Sequence, residues 1–287
     1  FEPIMELAIQ RIPALAEAEV RMLLNGPESF TLDGAFLMGE APELRDFYMC
    51  CGMNSMGVGS GGGAGKALAD WVVDGDPGVD LSSVDVRRFA RVRDSLNAVR
   101  DRAAENLSTH YAIGYPGREL KSARGLRLSP FHTFLAARGA VFGDRAGWER
   151  PSWFQPAGQS LSTEPGFGRP NWFEAVAAEH RAVREAVGLV DQSSFSKLLV
   201  QGRDATSFLN RACAGRVDME VGALCYTPLL NERGGYESDL VMMRIDEDAY
   251  LIITGSAQQV RDLDVLKRRL HYDEFVTFTD VTSAYAV

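Results

Sequence analysis

The sequence predicts an α+β protein with more than one domain, and three observations support this prediction. The 287 residues are enough for about two domains of ordinary size. An apolar segment, a glycine-rich stretch and a helical pattern follow one another at residues 48–73. From Gly188 onward, short apolar runs typical of strands alternate with helical patterns.

The first half of the chain is predicted to contain helices and two short strands. Apolar periodicity predicts the helices, and Asn-Gly-Pro and Asp-Gly-Asp-Pro sequences end two of them. The predicted elements are a helix at residues 5–24 interrupted at Pro13, strands at 36–39 and 47–51, helices at 66–73 and 82–106, and a loop at 111–125.

The second half is predicted to alternate more regularly after a long irregular segment. That segment contains four prolines, and three of the four tryptophans lie in or beside it, which favours a loop that wraps a larger body. The predicted elements are a helix at residues 131–140, a loop at 145–171, a helix at 172–187, strands at 196–201, 224–230, 239–245, 250–254 and 275–279, and helices at 204–212 and 257–270.

Composition limits the classes of function. The formal net charge of −9 argues against a surface that binds nucleic acid or an anionic membrane. The chain contains no apolar run near the roughly 18 residues of a membrane span, and its first residues do not resemble a signal peptide. Both ends interrupt an element, so we expect a fragment of a longer protein, cytoplasmic or, in a eukaryote, in the mitochondrial matrix.

Cysteine, histidine and arginine patterns favour structural roles. No Cys-x-x-Cys pair and no histidine pair has metal-ligand spacing, so we expect no metal site. The cysteines are expected to be small buried hydrophobes, the histidines to lie on the surface or at caps, and the arginines of residues 82–106 to form a solvated, ion-paired face. The residues concerned are Cys50, Cys51, Cys213, Cys225, His110, His132, His180, His271, Arg87, Arg88, Arg91, Arg93, Arg100 and Arg102.

The glycine-rich segment has four interpretations. The pattern argues against a triphosphate-binding loop, because Gly-x-x-x-x-Gly-Lys-Ser/Thr fails at Ser60 and at Ala67. A dinucleotide fingerprint is met formally by Gly57, Gly59 and Gly62, but no strand with a final acidic residue follows the helix. Two interpretations remain open: a secondary contact with a flavin whose main fold lies earlier, or a tight turn without a ligand.

Longer motifs indicate a family. The sequences are NGPESFTLDG at residues 25–34, GEAPEL at 39–44, DVRRF at 85–89, GWERPSWF at 147–154 and GRPNWFE at 168–174. In this order, and across nearly the whole chain, they resemble the dimethylglycine and sarcosine dehydrogenase family. These flavoenzymes have a C-terminal half similar to the glycine-cleavage T-protein, an aminomethyltransferase.

The resemblance implies a division of the chain and two cofactors. Residues 1–77 would be the C-terminal part of an FAD-dependent amine oxidase domain, 78–128 a connecting domain, and 129–287 the N-terminal part of a tetrahydrofolate-binding domain. In the family, FAD accepts a hydride from the N-methyl carbon of an N-methylated glycine, and tetrahydrofolate takes up the one-carbon unit. Net charge and the lack of a long apolar run predict neither a nucleic-acid nor a membrane partner. By the resemblance, the flavin oxidant would be oxygen or an electron-transfer protein.

The resemblance places flavin contacts on the turn before the glycine-rich helix. A helix N-terminus and free N–H groups suit the negative charge that reduced flavin carries near N1 and C2=O. The implied contacts, with Asn54 and Ser55 as polar partners, are Gly52, Met53, Asn54, Ser55, Met56 and Gly57.

On the folate side, the matching stretch is YTPLLNERGGYESDL at residues 226–240. The family's Gly-Gly pair is followed by an Asp that faces the folate N10, and this position is Asp239. A carboxylate beside a reacting amine can hold or accept its proton. Without the resemblance, the pattern favours an Asp239 that merely begins the strand at residues 240–245. Tyr226, Thr254, Gly255 and Ser256 are further implied contacts, although T-proteins often carry Asn where Thr254 stands.

Three hypotheses follow from these observations. The first is part of an FAD- and tetrahydrofolate-dependent dehydrogenase that acts on dimethylglycine, sarcosine or a similar amine. The second is a folate-dependent, aminomethyltransferase-like module without flavin chemistry. The third is a truncated chain that has no activity of its own.

Overall fold

The computed structural model describes residues 1–89 and 94–287, and its helices and strands alternate in the manner of an α+β protein. The α+β class predicted from the sequence is confirmed. The helices are α1 (Glu2–Arg11), α2 (Gly57–Asp74), α3 (Leu96–Thr109), α4 (His132–Ala137), α5 (Phe173–Glu185), α6 (Ala205–Ala212) and α7 (Gln259–Arg268). The strands are β1 (Leu37–Glu40), β2 (Tyr48–Cys51), β3 (Ala140–Arg145), β4 (Trp148–Phe154), β5 (Ser196–Gln201), β6 (Leu224–Leu230), β7 (Tyr236–Asp246), β8 (Ala249–Thr254) and β9 (Thr277–Asp280).

The first helix is shorter than predicted. Helix α1 ends at Arg11, and a single 3-10 turn at Pro13–Glu17 follows it. Proline lacks the N–H that would continue the helical hydrogen bonds, and its ring clashes with the preceding turn. The prediction of a helix up to residue 24 is therefore wrong, and every residue of α1 is at least partly exposed.

The glycine-rich segment is helical, not a turn. Helix α2 begins at Gly57, nine residues before the predicted start at Lys66, and ends at Asp74, where the C-cap Gly75 has a left-handed φ of 74°. Its buried Ala64 and Ala67 pack with Met38 of β1. Tertiary packing of this small-residue face overrides the low helix propensity of glycine.

The β1–β2 hairpin lies close against α2. An added Cβ at Gly39, where φ is 119°, would lie 2.7 Å from the ring of Trp71, so the hairpin requires glycine there. Cys50 and Cys51 of β2 are exposed, so the prediction that they are buried is wrong. In this two-stranded sheet β1 buries Met38 and Gly39, whereas the second half of β2 is exposed.

The arginine-rich segment is not one helix. A 3-10 turn at Val86–Arg88 is capped by Asp85, and α3 begins later, after the N-cap Ser95. Arg87 and Arg102 are buried in ion pairs with carboxylates, so the solvated-face prediction is wrong for these two residues. The predictions for Arg91 and Arg93 concern positions outside the described residues.

The segment predicted as a long loop contains an antiparallel hairpin. Strands β3 and β4 are joined at Ala146 and Gly147, which both have positive φ. Pro151 suggested a loop, but it lies at a bulge in a two-stranded sheet. Proline is tolerated at bulges and on edge strands, because its missing N–H there removes no hydrogen bond between strands. The hairpin also gives Trp153 a stacked partner in Trp172, 6.0 Å away between ring centroids.

The last third of the chain folds as predicted. Strands β5 to β9 form one antiparallel sheet in the order β6-β7-β8-β5-β9. One face of this sheet packs on α6 and α7 around a core that includes Leu198, Phe208, Met242, Ile252 and Leu266, all fully buried. Alternation places the side chains between these core positions on the opposite, more open face.

Buried ion pairs join the N-terminal segments to α7. Arg87 binds Asp85 with two nitrogens and donates to Asp264 at 3.0 Å. Arg268 donates to Asp264 at 2.8 Å and to Glu40 of β1 at 2.5 Å. Because these charges are largely buried, each needs the others as partners, and α7 is held against β1 and the turn at Val86–Arg88.

Candidate functional site

Asp239 and Tyr226 meet on the open face of the five-stranded sheet. Asp239 pairs with Pro228 in the β6–β7 ladder, and Tyr226 stands one diagonal step away on the same face. The Tyr226 hydroxyl donates to Oδ2 of Asp239 at 2.9 Å. Both side chains are exposed, so a ligand can reach the carboxylate and the phenol together.

The hydrogen bond changes the acidity of the phenol. The bond to Asp239, with a smaller effect of burial and of the negative charge, raises the pKa of Tyr226 above its ordinary value. The phenol therefore remains a hydrogen-bond donor at neutral pH. It holds one carboxylate oxygen and leaves the other free to accept a proton or a hydrogen bond from a ligand.

A buried carboxylate lies behind this pair, on the core side of the sheet. Oδ2 of Asp262 on α7 accepts a hydrogen bond from Ser238 at 2.8 Å and a second, short one from Thr254. Burial raises the pKa of Asp262 to about 6, although both hydroxyl bonds and Arg261 oppose the shift. Sequence analysis missed Asp262, because an acidic residue on an amphipathic helix gives no sign that it faces the core.

The turn after β8, at residues 254–256, adjoins Asp262 through Thr254. Thr254 is buried at the end of β8, and Gly255 accepts a hydrogen bond from Ser196 at 3.3 Å. The Ser256 hydroxyl is buried and has no hydrogen-bond partner among the described residues. Of the predicted folate contacts, Tyr226 thus touches Asp239 directly, whereas the turn is linked to the β7 strand through Asp262.

The predicted flavin contacts form a separate group between β2 and α2. Gly52 has a φ of 74°, and an added Cβ would lie 2.9 Å from Thr31, so this turn requires glycine. Asn54 and Ser55 also have positive φ, at 27° and 68°. Asn54 is buried, and the Ser55 hydroxyl donates a short hydrogen bond to Glu28.

The N-terminus of α2 can receive an electron-rich group. Its N-cap is Met56, whose side chain makes no capping bond, and the Met53 carbonyl accepts from the Met56 N–H at 2.7 Å. An added Cβ at Gly59 would meet no described atom within 4 Å, and the same holds for the four glycines that follow it in α2. The first-turn N–H groups therefore lack a side-chain cap, and the glycine positions from Gly59 onward leave open space along the helix, whereas the Met53 side chain lies close to Gly57.

Other predicted groups do not form a site. The His110 ring packs against Phe30 and Tyr111, and the His132 ring stacks on Phe142. No cluster of three metal-ligating side chains occurs in the described part of the chain. Nor does any helix among the residues 1–89 and 94–287 have the length and apolarity of a membrane span.

Comparison with family models first defines the class of protein. The model described as the GCVT N-terminal domain matches residues 131–287, and the model described as the FAD dependent oxidoreductase central domain matches residues 74–129. The first match covers more than half of the chain, so the chain belongs to the GCVT N-terminal domain family. The two domains in tandem define a flavoenzyme-type chain with a T-protein-like second half.

Curated relatives narrow this class. The 4-methylaminobutanoate oxidase (formaldehyde-forming) of Paenarthrobacter nicotinovorans is 40% identical over all of this chain and 35% of its own length. Human mitochondrial sarcosine dehydrogenase is 36% identical over 85% of this chain and 29% of its own length. These matches confirm the dimethylglycine and sarcosine dehydrogenase family indicated by the sequence motifs.

One relative has a name of a different kind. The mitochondrial pyruvate dehydrogenase phosphatase regulatory subunit of Mus musculus is 35% identical over 99% of this chain and 33% of its own length. The chain thus spans about a third of the length of these three relatives. Similarity over about a third of each relative establishes the family of this chain but does not establish its activity.

Proposed function

We propose that this chain is part of an FAD- and tetrahydrofolate-dependent dehydrogenase that demethylates N-methylated amines such as sarcosine or dimethylglycine. The observation that carries the proposal is the Asp239–Tyr226 pair, exposed on a T-protein-like sheet. The names of two relatives support an N-methyl amine substrate. In this proposal residues 1–77 belong to the flavin domain, 78–128 to the connecting domain and 129–287 to the folate domain.

The residues at the start of α2 fit one end of FAD. The N–H groups without a side-chain cap follow directly on the turn with positive φ at Gly52, Asn54 and Ser55, so backbone donors of both could face one ligand. Partial positive charge at a helix N-terminus stabilises an anionic ring system. We assign residues 52–57 to the isoalloxazine end of FAD, which when bound supplies the two-electron oxidation of the N-methyl carbon.

The folate-side residues handle a proton. Oxidation of the amine leaves an electrophilic iminium carbon, and its capture by the two nitrogens of tetrahydrofolate releases the demethylated amine and one net proton. Asp239 is placed to accept a proton from the folate amine, while Tyr226 fixes the carboxylate in orientation. The backbone of Thr254, Gly255 and Ser256 would form the neighbouring wall of the folate site, because the Thr254 and Ser256 side chains are buried.

The test is to replace Asp239 by Ala in the full-length gene product. We expect amine-driven flavin reduction to stay within about twofold of wild type, because the oxidation occurs at another group of residues. Capture of the one-carbon unit as methylene-tetrahydrofolate should fall at least about tenfold, with formaldehyde released instead. A matched control is Asp246→Ala, which removes another exposed carboxylate from the same strand.

The product ratio decides the role of Asp239. An unchanged yield of methylene-tetrahydrofolate in Asp239→Ala would remove the residue from the mechanism. Oxygen and an electron-transfer protein are the two candidate flavin oxidants, to be separated by anaerobic assay. The mitochondrial names of several relatives favour the matrix as the location in a eukaryote, and the cytoplasm is proposed for a bacterium.

A second candidate function is a folate-binding or regulatory module without flavin chemistry. The match to a protein named as a regulatory subunit favours it, because that match covers 99% of this chain. Absence of amine-dependent flavin bleaching in the full-length gene product, with folate binding retained, would establish this candidate and refute the first.

A further inference from the structure

The buried Asp262 has no role in the chemistry described so far. Its side chain is fully buried on α7, yet it contacts two elements of the candidate folate site at once. Oδ2 accepts from Ser238, the residue directly before Asp239 in β7, at 2.8 Å. The same oxygen accepts from Thr254, the last residue of β8 and the first of the turn that ends at Ser256.

These contacts fix two backbone segments relative to each other. Ser238 and Thr254 are on the core side of neighbouring strands, and their hydroxyls lie 3.4 Å apart. One carboxylate oxygen joins them, so a shift of β7 against β8 at this end of the sheet would break a buried hydrogen bond. Asp239 directly follows Ser238 in the chain, and Gly255 and Ser256 directly follow Thr254, so each bond also holds a segment of the candidate folate site.

We propose that Asp262 is a positioning residue for the folate site, holding Asp239 and the 254–256 turn in one geometry through Ser238 and Thr254. The inference rests on the proposed function of Asp239. Asp262 itself is on the core side of the sheet and does not touch the ligand. It acts through the two hydroxyls, in the way that outer hydrogen bonds orient the groups of a catalytic site.

A second buried carboxylate on α7 provides a matched control. Asp264 lies two residues further along the helix and is also buried, but its partners are Arg87 and Arg268, and neither belongs to the candidate folate site. Loss of either carboxylate should destabilise the helix. Only loss of Asp262 should disturb the folate site.

The experiment compares Asp262→Ala, Asp262→Asn and Asp264→Ala in the full-length gene product with flavin bound. The measured quantity is the fraction of oxidised amine captured as methylene-tetrahydrofolate across a series of tetrahydrofolate concentrations. This fraction is counted per turnover, so it does not depend on how much of a variant is folded. Loss of folded protein would lower flavin reduction and capture equally and leave the fraction unchanged.

We expect Asp262→Ala to raise the half-saturating tetrahydrofolate concentration by about tenfold, as small displacements of reacting groups do. Asp262→Asn should restore capture to near wild type, because an amide oxygen can accept from the same two hydroxyls. Asp264→Ala should keep the wild-type curve.

Two results would overturn the inference: a wild-type curve for Asp262→Ala, or an equal shift in Asp264→Ala. If the proposed function itself is wrong, the wild-type protein already gives a different result from the one expected. In that case the wild-type protein itself shows no amine-dependent flavin reduction, or no tetrahydrofolate-dependent product.

Discussion

Replacing Asp262 by Asn should change how the stability of the protein depends on pH. Burial raises the pKa of Asp262 from 3.8 to about 6 in the folded protein. Because one pKa unit corresponds to about 1.36 kcal/mol, ionised Asp262 lowers the free energy of unfolding by about 3 kcal/mol. This penalty is absent below the ordinary pKa of 3.8, develops as the pH rises, and is complete above about 6.

An amide at this position cannot ionise, so Asp262→Asn removes the pH-dependent part of the penalty. It also places an NH₂ group where Oδ1 has no hydrogen-bond partner among the described residues, a fixed cost of about 1–3 kcal/mol. The free energy of unfolding of the variant at any single pH is therefore less informative than the way this free energy changes with pH. Between about pH 4.5 and about pH 8, the difference in unfolding free energy should move in favour of the variant by about 2 kcal/mol.

Urea unfolding followed by circular dichroism at several pH values measures this difference. Asp246→Asn is the control, because Asp246 is exposed and its replacement should give a nearly constant difference across the range. A difference for Asp262→Asn that does not change with pH would refute the argument, since it would mean that Asp262 ionises with equal ease in the folded and unfolded chain.

Three further predictions concern the packing and the cofactor. Gly39→Ala should lower the free energy of unfolding by about 2–4 kcal/mol, because φ is 119° and the new Cβ would lie 2.7 Å from the Trp71 ring. Gly61→Ala, at an open position within α2, should instead raise the free energy of unfolding by about 0.5–1 kcal/mol. Thermal unfolding of the two variants measures both effects. Arg87→Met should cost about 3–5 kcal/mol in urea unfolding because Asp264 loses a buried partner, whereas Arg100→Met at an exposed ion pair should change little. The 287-residue chain alone should not retain FAD in equilibrium dialysis, since its described residues contain no parallel dinucleotide-binding sheet, and micromolar retention would contradict this.

The periodic spacing of apolar residues predicted the strands and helices in which buried side chains recur at regular intervals. Strands β5 and β6 match their predicted bounds, and α7 lies within its predicted range. The glycine-rich first half of α2 and the β3–β4 hairpin were missed because glycine and proline usually interrupt helices and strands, whereas packing and a bulge accommodate them here.

The candidate site could be predicted only in part. Asp239 and Tyr226 were found by resemblance, and strand alternation is consistent with their common face. Asp262 and Arg87 could not be found, because their partners lie on other elements and no local pattern marks a charge that will be buried.

The ion pairs between α7 and the N-terminal segments limit how this protein can be divided. Arg268 and Glu40 are 228 positions apart in the sequence, and Arg87 and Asp264 are 177 apart. A gene fusion or excised module that starts at residue 129 would keep the Asp264–Arg268 pair on α7 but remove Arg87 and Glu40, the partners that these two side chains have in the N-terminal segments. Transplanting residues 131–287, which match the GCVT N-terminal domain, into another enzyme would therefore require either redesign of that face of α7 or co-transfer of residues 37–40 and 85–88.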